Sequence, residues 1–352
     1  MSRRAFLAAL PIALGAQVKQ PFRKARPLPA AGEFARLLDP ATENIFVRLT
    51  ALTSVSLLPY ERNRFVSTRE RILIFSSNRS GRFAPHQIDL RTGVIRQIAE
   101  PANLNPKSLC FNHQEKSILY LDGDSLTEVS LPHGMPREIA AGVTAFSLSA
   151  DGTLYVISTG KVSRVNGREL VALADSAVDL WAQPNATGCL FSRATAPDER
   201  DLLYVPATGG NPALLATGRV REPFWDQDGE SILFLRDVTA PNGTLLAEIH
   251  GRRIAQGDEY LVSPTSQFAN FSPNSDASVF VGASRSRAQP SVVLMLRNPR
   301  RELTLCEHRS SHPAEVTPVF SPDNRRIYFE SDREGKSAIY SVNVELLVEP
   351  QP

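Results

Sequence analysis

The sequence predicts an all-β fold, and three observations support this prediction. Short apolar runs recur along the chain, separated by turn residues that include 26 prolines and 20 glycines. Several runs alternate between apolar and polar residues, as in Ile339–Val344, which is the period of a half-buried strand. One pattern, an aromatic or apolar anchor followed by a polar turn and a strand, recurs at intervals of roughly 34–49 residues, the length of a four-stranded propeller blade. We therefore expect a seven-bladed β-propeller of four-stranded antiparallel blades.

The clearest repeat lies near the end of the chain. Phe320 begins a Phe-Ser-Pro-Asp-Asn turn and the strand that ends at Phe329, and a polar loop with Gly335 leads to a second strand. Related units begin upstream at Phe65, Phe111, Leu148, Ala182, Trp225 and Phe271. Six or eight blades stay open as alternatives, because the two central units match the pattern weakly.

A segment before the first unit is expected to close the ring. Asn44–Thr50 has strand character, whereas the last unit ends soon after Val344 and lacks an outer strand of its own. Pairing the two segments would remove strand edges that otherwise invite aggregation. The sequence therefore predicts that this N-terminal segment completes the last blade.

Composition excludes several classes of protein. The 352 residues are 42% hydrophobic, enough for one large repeat domain. The net charge is only +2 and the basic residues are dispersed, so we expect no nucleic-acid partner. Cys110, Cys189 and Cys306 are odd in number and widely spaced, so small buried residues are expected rather than a disulfide framework. His86 and His250 lie near strand ends, where a solvated side chain is expected.

The first residues resemble a bacterial export signal. Ser2–Leu7 reads Ser-Arg-Arg-Ala-Phe-Leu, and a short apolar run to Ala16 follows, as in twin-arginine signals. The predicted organisation is an export signal over 1–16, a linker over 17–32 and a single propeller domain over 33–349. We expect a periplasmic or secreted protein without a membrane span in the mature chain, since no later run is long enough.

Two propeller groups are similar to this chain. The Phe-Ser-Pro-Asp repeat at 320–340 resembles TolB-type repeats. The order of several features along the chain resembles that in the oligogalacturonate lyase family. These features are Asp39–Thr42, Asp89–Gly93, Pro223–Gly229 and the last repeat. That resemblance implies a seven-bladed propeller that cleaves galacturonate disaccharides by β-elimination. It also implies a manganese ion, held by histidines and a glutamine, that binds the uronate carboxylate.

The resemblance implies site residues only in part. The family's Gln-x-x-His-x-His motif falls on His312, Glu315 and Thr317, and a further family histidine falls on Glu222. Another falls near Leu57, which cannot replace an imidazole. Glu222, His312 and Glu315 are therefore the candidate ligands of a weakly held Mn²⁺.

The same resemblance makes Arg193 the nearest counterpart of the catalytic arginine. No Gly-x-Ser-x-Gly, His-Glu-x-x-His or phosphate-binding motif occurs in the sequence. Two functions stay open: a lyase-like propeller that binds or cleaves acidic oligosaccharides, and a non-catalytic TolB-like scaffold whose face binds another protein.

Overall fold

A computed structural model describes residues 32–132, 134–167, 169–255, 257–265, 268–345 and 347. Within these residues the chain forms seven antiparallel sheets, arranged as the blades of a seven-bladed β-propeller. The predicted fold class and blade number are confirmed. The predicted export signal and nearly all of the predicted linker lie outside the described residues. No helix in the described part is long and apolar enough to cross a membrane.

The first six blades take four strands each, in chain order. Blade 1 consists of β3 (Ser56–Leu57), β4 (Ile72–Ser77), β5 (Ala84–Asp89) and β6 (Ile95–Gln97). Blade 2 consists of β7 (Cys110–Phe111), β8 (Ser117–Asp122), β9 (Ser125–Ser130) and β10 (Arg137–Ala140). Blade 3 consists of β11 (Val143–Leu148), β12 (Leu154–Ser158), β13 (Lys161–Asn166) and β14 (Glu169–Ala174).

The next three blades follow the same order. Blade 4 consists of β15 (Asp179–Ala182), β16 (Gly188–Ala196), β17 (Glu199–Pro206) and β18 (Ala213–Ala216). Blade 5 consists of β19 (Val220–Trp225), β20 (Ser231–Thr239), β21 (Leu245–Arg253) and β22 (Tyr260–Pro264). Blade 6 consists of β23 (Phe268–Pro273), β24 (Val279–Ser284), β25 (Ser291–Leu296) and β26 (Arg301–Glu307).

Blade 7 closes the ring with strands from both ends of the chain. A 3₁₀ helix (Pro313–Glu315) leads into β27 (Val319–Phe320), β28 (Arg326–Ser331) and β29 (Ala338–Asn343). The N-terminal strand β2 (Ile45–Arg48) pairs with β29, with Phe46 opposite Val342, which confirms the predicted closure. A further strand, β1 (Ala35–Leu38), adds a fifth position to this sheet that the sequence did not predict.

The hydrophobic core lies between successive blades. Six buried clusters fill these interfaces; in one of them Leu119 of blade 2 packs with Val143 and Phe146 of blade 3. The cluster at the seam joins Tyr328 and Ile339 of blade 7 to the cores of blades 1 and 2. Each blade is therefore stabilised mainly by burial of apolar area against its neighbours.

Polar side chains hold the turns that connect the innermost strand to the second strand. In blade 7 the Ser321 hydroxyl accepts a hydrogen bond from the Arg326 amide at 2.9 Å, and Asp323 accepts one from the Arg325 amide at 3.0 Å. Asn324 has a φ of 60°, a left-handed conformation that asparagine tolerates better than most residues. The Ser-Pro-Asp-Asn sequence thus specifies the turn that it predicted.

Two histidines differ from expectation, whereas the cysteines follow it. His86 is buried in β5 with Nδ1 2.9 Å from the Ala84 carbonyl oxygen, and burial lowers the pKa of its imidazole to about 4. His250 lies between Glu248 and Glu259, with Nε2 2.9 Å and Nδ1 2.7 Å from their carboxylates. The solvated state expected of both is therefore wrong, because each strand faces a neighbouring element there. The three cysteines are free and buried, as expected.

Candidate functional site

The innermost strands and the loops leading into them surround a cavity of about 380 Å³, which we name the entry chamber. Every blade except blade 3 contributes to its wall, so the chamber lies at the centre of the ring. Its lining residues are Leu58, Pro59, Tyr60, Glu61, Arg62, Lys107, Asp179, Trp181, Arg200, Glu222, Pro223, Asn270, Ala314, Glu315, Thr317 and Glu330.

A second cavity of about 300 Å³, the second chamber, lies against the first and shares Glu61, Arg62, Trp181 and Pro223 with it. Blades 1 to 5 line it with residues farther along their innermost strands. Its other lining residues are Arg64, Cys110, Phe111, Ser147, Leu148, Ser149, Ala150, Ala182, Pro184, Phe224 and Trp225.

Arg62 lies where the two chambers meet. Its guanidinium is 3.1 Å from the Asp179 carboxylate, 4.3 Å from the centroid of the Tyr60 ring and 5.3 Å from that of Trp181. The salt bridge and the aromatic faces fix the orientation of the side chain, since a guanidinium stacks well on aromatic rings. Arg62 thus forms a rigid cationic wall shared by both chambers.

Two buried N–H groups on this wall have no hydrogen-bond partner. They are Nε of Arg62, whose side chain is 10% exposed, and Nε1 of Trp181, which is 5% exposed. Leaving a buried donor unpaired costs about 1–3 kcal/mol, and more for a charged group. Both atoms are sealed from solvent, so a ligand oxygen reaches them only if the surrounding side chains move.

Two further cations line the entry chamber. Lys107 forms an ion pair with Glu330 at 2.5 Å. Arg200 makes no ion pair with any residue that the structure describes. Its charge is therefore available to an anion that enters the chamber.

Glu222 has an unusual backbone and an unusual charge state. Its φ is 50°, and the pairing of β19 with β20 shifts register between Arg221 and Phe224. Among the described residues it is the only non-glycine residue inside a strand with a left-handed φ, a conformation that costs about 1–2 kcal/mol. The bulge directs the chain at Glu222 towards the axis of the ring.

Burial, followed by the nearby charge of Glu61, raises the pKa of Glu222 to about 8, although Arg221, Arg62 and Arg200 act in the opposite direction. At neutral pH the carboxyl group is therefore mostly protonated. In this state Glu222 donates a hydrogen bond and does not repel an anion.

Only part of the predicted site lies in the entry chamber. Glu222 and Glu315 line it, and so does Thr317, whose hydroxyl accepts a hydrogen bond from the Asn270 amide at 3.1 Å. His312 is exposed and precedes the 3₁₀ helix, and it is not part of the chamber lining. Arg193 lies on β16 outside both chambers and forms a 2.8 Å ion pair with Asp201.

The side chains present do not fit a manganese ion. In the described part of the chain no three His, Cys, Asp or Glu side chains form a group that could hold a metal ion. The imidazole of His312 lies outside the chamber, and Glu222 is mostly neutral. Manganese suits ionised carboxylates and other oxygen ligands, and in the described part of the chain these are not gathered at one point.

Arg62, Lys107, Trp181 and Arg200 were not predicted from the sequence. Tyr60-Glu61-Arg62 follows the innermost strand β3 of blade 1. Charged residues at such a position are the signal that could have identified Arg62 as part of the chamber lining. Arg200 follows a hairpin turn, where an arginine carries no distinctive pattern.

Comparison with known proteins identifies the fold. No protein-family model matches the sequence, and neither does any curated protein sequence. The structure is similar to an oligogalacturonate lyase in complex with manganese, with a TM-score of 0.77 and 17% identity over 88% of this chain and 96% of that chain. It is equally similar to an oligogalacturonate lyase from Vibrio parahaemolyticus, with a TM-score of 0.77 and 17% identity over 89% and 97% of the two chains.

The same fold occurs in a protein with another activity. A puromycin-hydrolyzing peptidase of Mycobacterium tuberculosis matches with a TM-score of 0.59 and 13% identity, over 76% of this chain and 48% of that chain. Identities this low support a shared architecture and leave the activity to be argued from the site. The chain therefore has the propeller fold of the oligogalacturonate lyase structures.

Proposed function

We propose that this propeller binds acidic oligosaccharides of the pectic type, with a uronate carboxylate in the entry chamber. The observation that carries the proposal is the guanidinium of Arg200, which has no ion pair among the described residues and lines a chamber whose wall also contains Arg62. Arginine N–H groups bind carboxylates through paired, charge-assisted hydrogen bonds. A carboxylate in the chamber would provide Arg200 with the acceptors that it lacks.

The balance of charge in the chamber is compatible with an anion. Asp179 and Glu330 are each engaged by a cation, at 3.1 Å and 2.5 Å. Glu222 is mostly protonated at neutral pH, and Glu315 is exposed to solvent. Glu61 and the solvent-exposed Glu315 are the remaining carboxylates, and Arg200 is the cation without an ion pair among the described residues, so an incoming carboxylate would bind at the Arg200 end of the chamber.

The proposal is binding, and it does not include manganese-assisted β-elimination. Of the three candidate ligands only Glu222 and Glu315 line the chamber, and the imidazole of His312 lies outside it. The non-catalytic protein scaffold predicted as the alternative becomes the better account if no acidic sugar binds.

Calorimetric titration with digalacturonate tests the proposal. Arg200→Ala should weaken binding by about 10- to 100-fold, because a charge-assisted hydrogen bond contributes about 1.5–3 kcal/mol. Arg193→Ala is the matched control, since that arginine is paired with Asp201 outside the chambers and its loss should leave binding unchanged. Equal affinities of wild type and Arg200→Ala would contradict the proposal.

We also propose export through the twin-arginine route, on the strength of the sequence Ser2–Leu7. Residues 1–32 fused to a reporter that is active only after folded export should give a periplasmic signal in a bacterial host. Replacing Arg3 and Arg4 by lysine should abolish that signal, because the export receptor recognises the arginine pair. Unchanged export of the double-lysine variant would exclude this route.

A further inference from the structure

The second chamber differs in character from the entry chamber. Aromatic rings of blades 2, 4 and 5 line it, contributed by Phe111, Trp181, Phe224 and Trp225. Its charged lining residues are Arg62, which is neutralised by its ion pair with Asp179, Glu61, and Arg64, which has no ion pair among the described residues. The cavity thus combines flat apolar walls with one guanidinium that is free to bind an anion.

The aromatic walls are held in place. The Nε1–H of Trp225 donates a 3.3 Å hydrogen bond to the Trp181 carbonyl oxygen, and its ring lies edge-on to Tyr204 at 6.2 Å. Phe224 packs edge-on against Phe271 with 5.2 Å between ring centroids. A preformed apolar cavity of this kind binds a flat ligand without losing side-chain freedom.

One guanidinium in the same chamber is available to an anionic acceptor. Arg64 makes no ion pair among the described residues, and its one side-chain hydrogen bond goes to the His113 carbonyl oxygen at 3.4 Å. A carboxylate would accept hydrogen bonds from Arg64 and offset its positive charge.

We propose that the second chamber is a separate binding site for a small aromatic carboxylate, whose ring packs against the half-buried Phe224 and Trp225 and whose carboxylate bonds to Arg64. The volume of about 300 Å³ is at the lower end of ligand pockets, which suits a single-ring molecule. This site is distinct from the uronate site, because Arg64 lines only the second chamber and Arg200 lines only the entry chamber.

The chain contains its own reporter for this site. Its two tryptophans are Trp181 and Trp225, and both line the second chamber. Benzoate should change the tryptophan fluorescence in a saturable manner. Benzamide, which has the same ring without the charge, should bind at least about 10-fold more weakly, as expected for loss of a charge-assisted hydrogen bond.

Variants separate this site from the entry chamber. Arg64→Gln removes the charge and keeps a shorter polar side chain, so it should weaken benzoate binding at least about 10-fold while digalacturonate binding persists. Arg200→Ala should weaken digalacturonate binding and leave benzoate binding unchanged. Absence of a saturable benzoate response, equal affinities for benzoate and benzamide, or an Arg64→Gln variant that binds benzoate like wild type would each overturn the proposal. So would a benzoate affinity that falls in Arg200→Ala, since that result would assign benzoate to the entry chamber.

Discussion

At the scale of single residues, two carboxyl groups meet where the ring closes. Glu70, in the turn before β4, accepts a 3.3 Å hydrogen bond from the amide of Asp323 in the corresponding turn of blade 7. Burial, followed by a hydrogen bond to the Asp323 side chain, raises the pKa of Glu70 to about 7. The pKa of Asp323 is lowered: burial would raise it, but hydrogen bonds from Glu70, the Arg325 amide and Ser321 outweigh that effect. Glu70 therefore keeps the proton that the pair shares.

This pair predicts a pH-dependent stability. The folded protein binds a proton at Glu70 between the ordinary value of 4.5 and about 7, so the free energy of unfolding should fall as pH rises through that window. The depressed pKa of Asp323 acts in the opposite direction, but only below its ordinary value of 3.8. Glu70→Gln retains a hydrogen-bond donor and does not titrate. Relative to this variant, wild type should lose about 1 kcal/mol across the window, after allowance for solvent screening.

Chemical denaturation at several pH values measures this difference. Glu115→Gln is the matched control, because it removes a carboxylate in the corresponding turn of blade 2 that accepts hydrogen bonds from Thr68. The control keeps Glu70 and should therefore keep the fall in stability over the same window. If wild type and Glu70→Gln keep a constant difference as well, the carboxyl pair does not share a proton.

The functional residues could be predicted only in part from the sequence. Glu222 and Glu315 were reached through resemblance to a ligand motif, and they line the entry chamber, although the predicted metal donor set is not assembled there. Arg62 and Trp181 were missed because a residue on an innermost strand faces either the axis or a neighbouring blade. A bulge such as that at Glu222 reverses whether the following side chains face the axis or the neighbouring blade, and the sequence does not indicate where the bulge lies.

At the scale of elements, the blade repeat was predictable because its turn chemistry is local. Serine, aspartate and asparagine side chains satisfy the backbone of each turn within five residues, as Ser321 does for Arg326. Pairing of β2 with β29 was also predictable, since the last repeat lacked an outer strand. Strand β1 was not predictable, because Ala35–Leu38 is short and its sequence, Ala-Arg-Leu-Leu, does not alternate between apolar and polar residues.

At the scale of the whole molecule, closure of the ring brings residues of six blades into one chamber. Residues as distant in the chain as Arg62, Arg200 and Glu315 line one cavity because the blades surround a common axis. The oligogalacturonate lyase structures have the same architecture at 17% identity. In this chain, arginines and a mostly neutral carboxyl group lie in the chamber wall.

A crystal structure of the propeller with digalacturonate would show whether an acidic sugar binds at the axis. We expect a uronate carboxylate in the entry chamber, within hydrogen-bonding distance of the Arg200 guanidinium. A sugar bound elsewhere on the ring, or an entry chamber without sugar at saturating digalacturonate, would exclude binding of the uronate by this chamber.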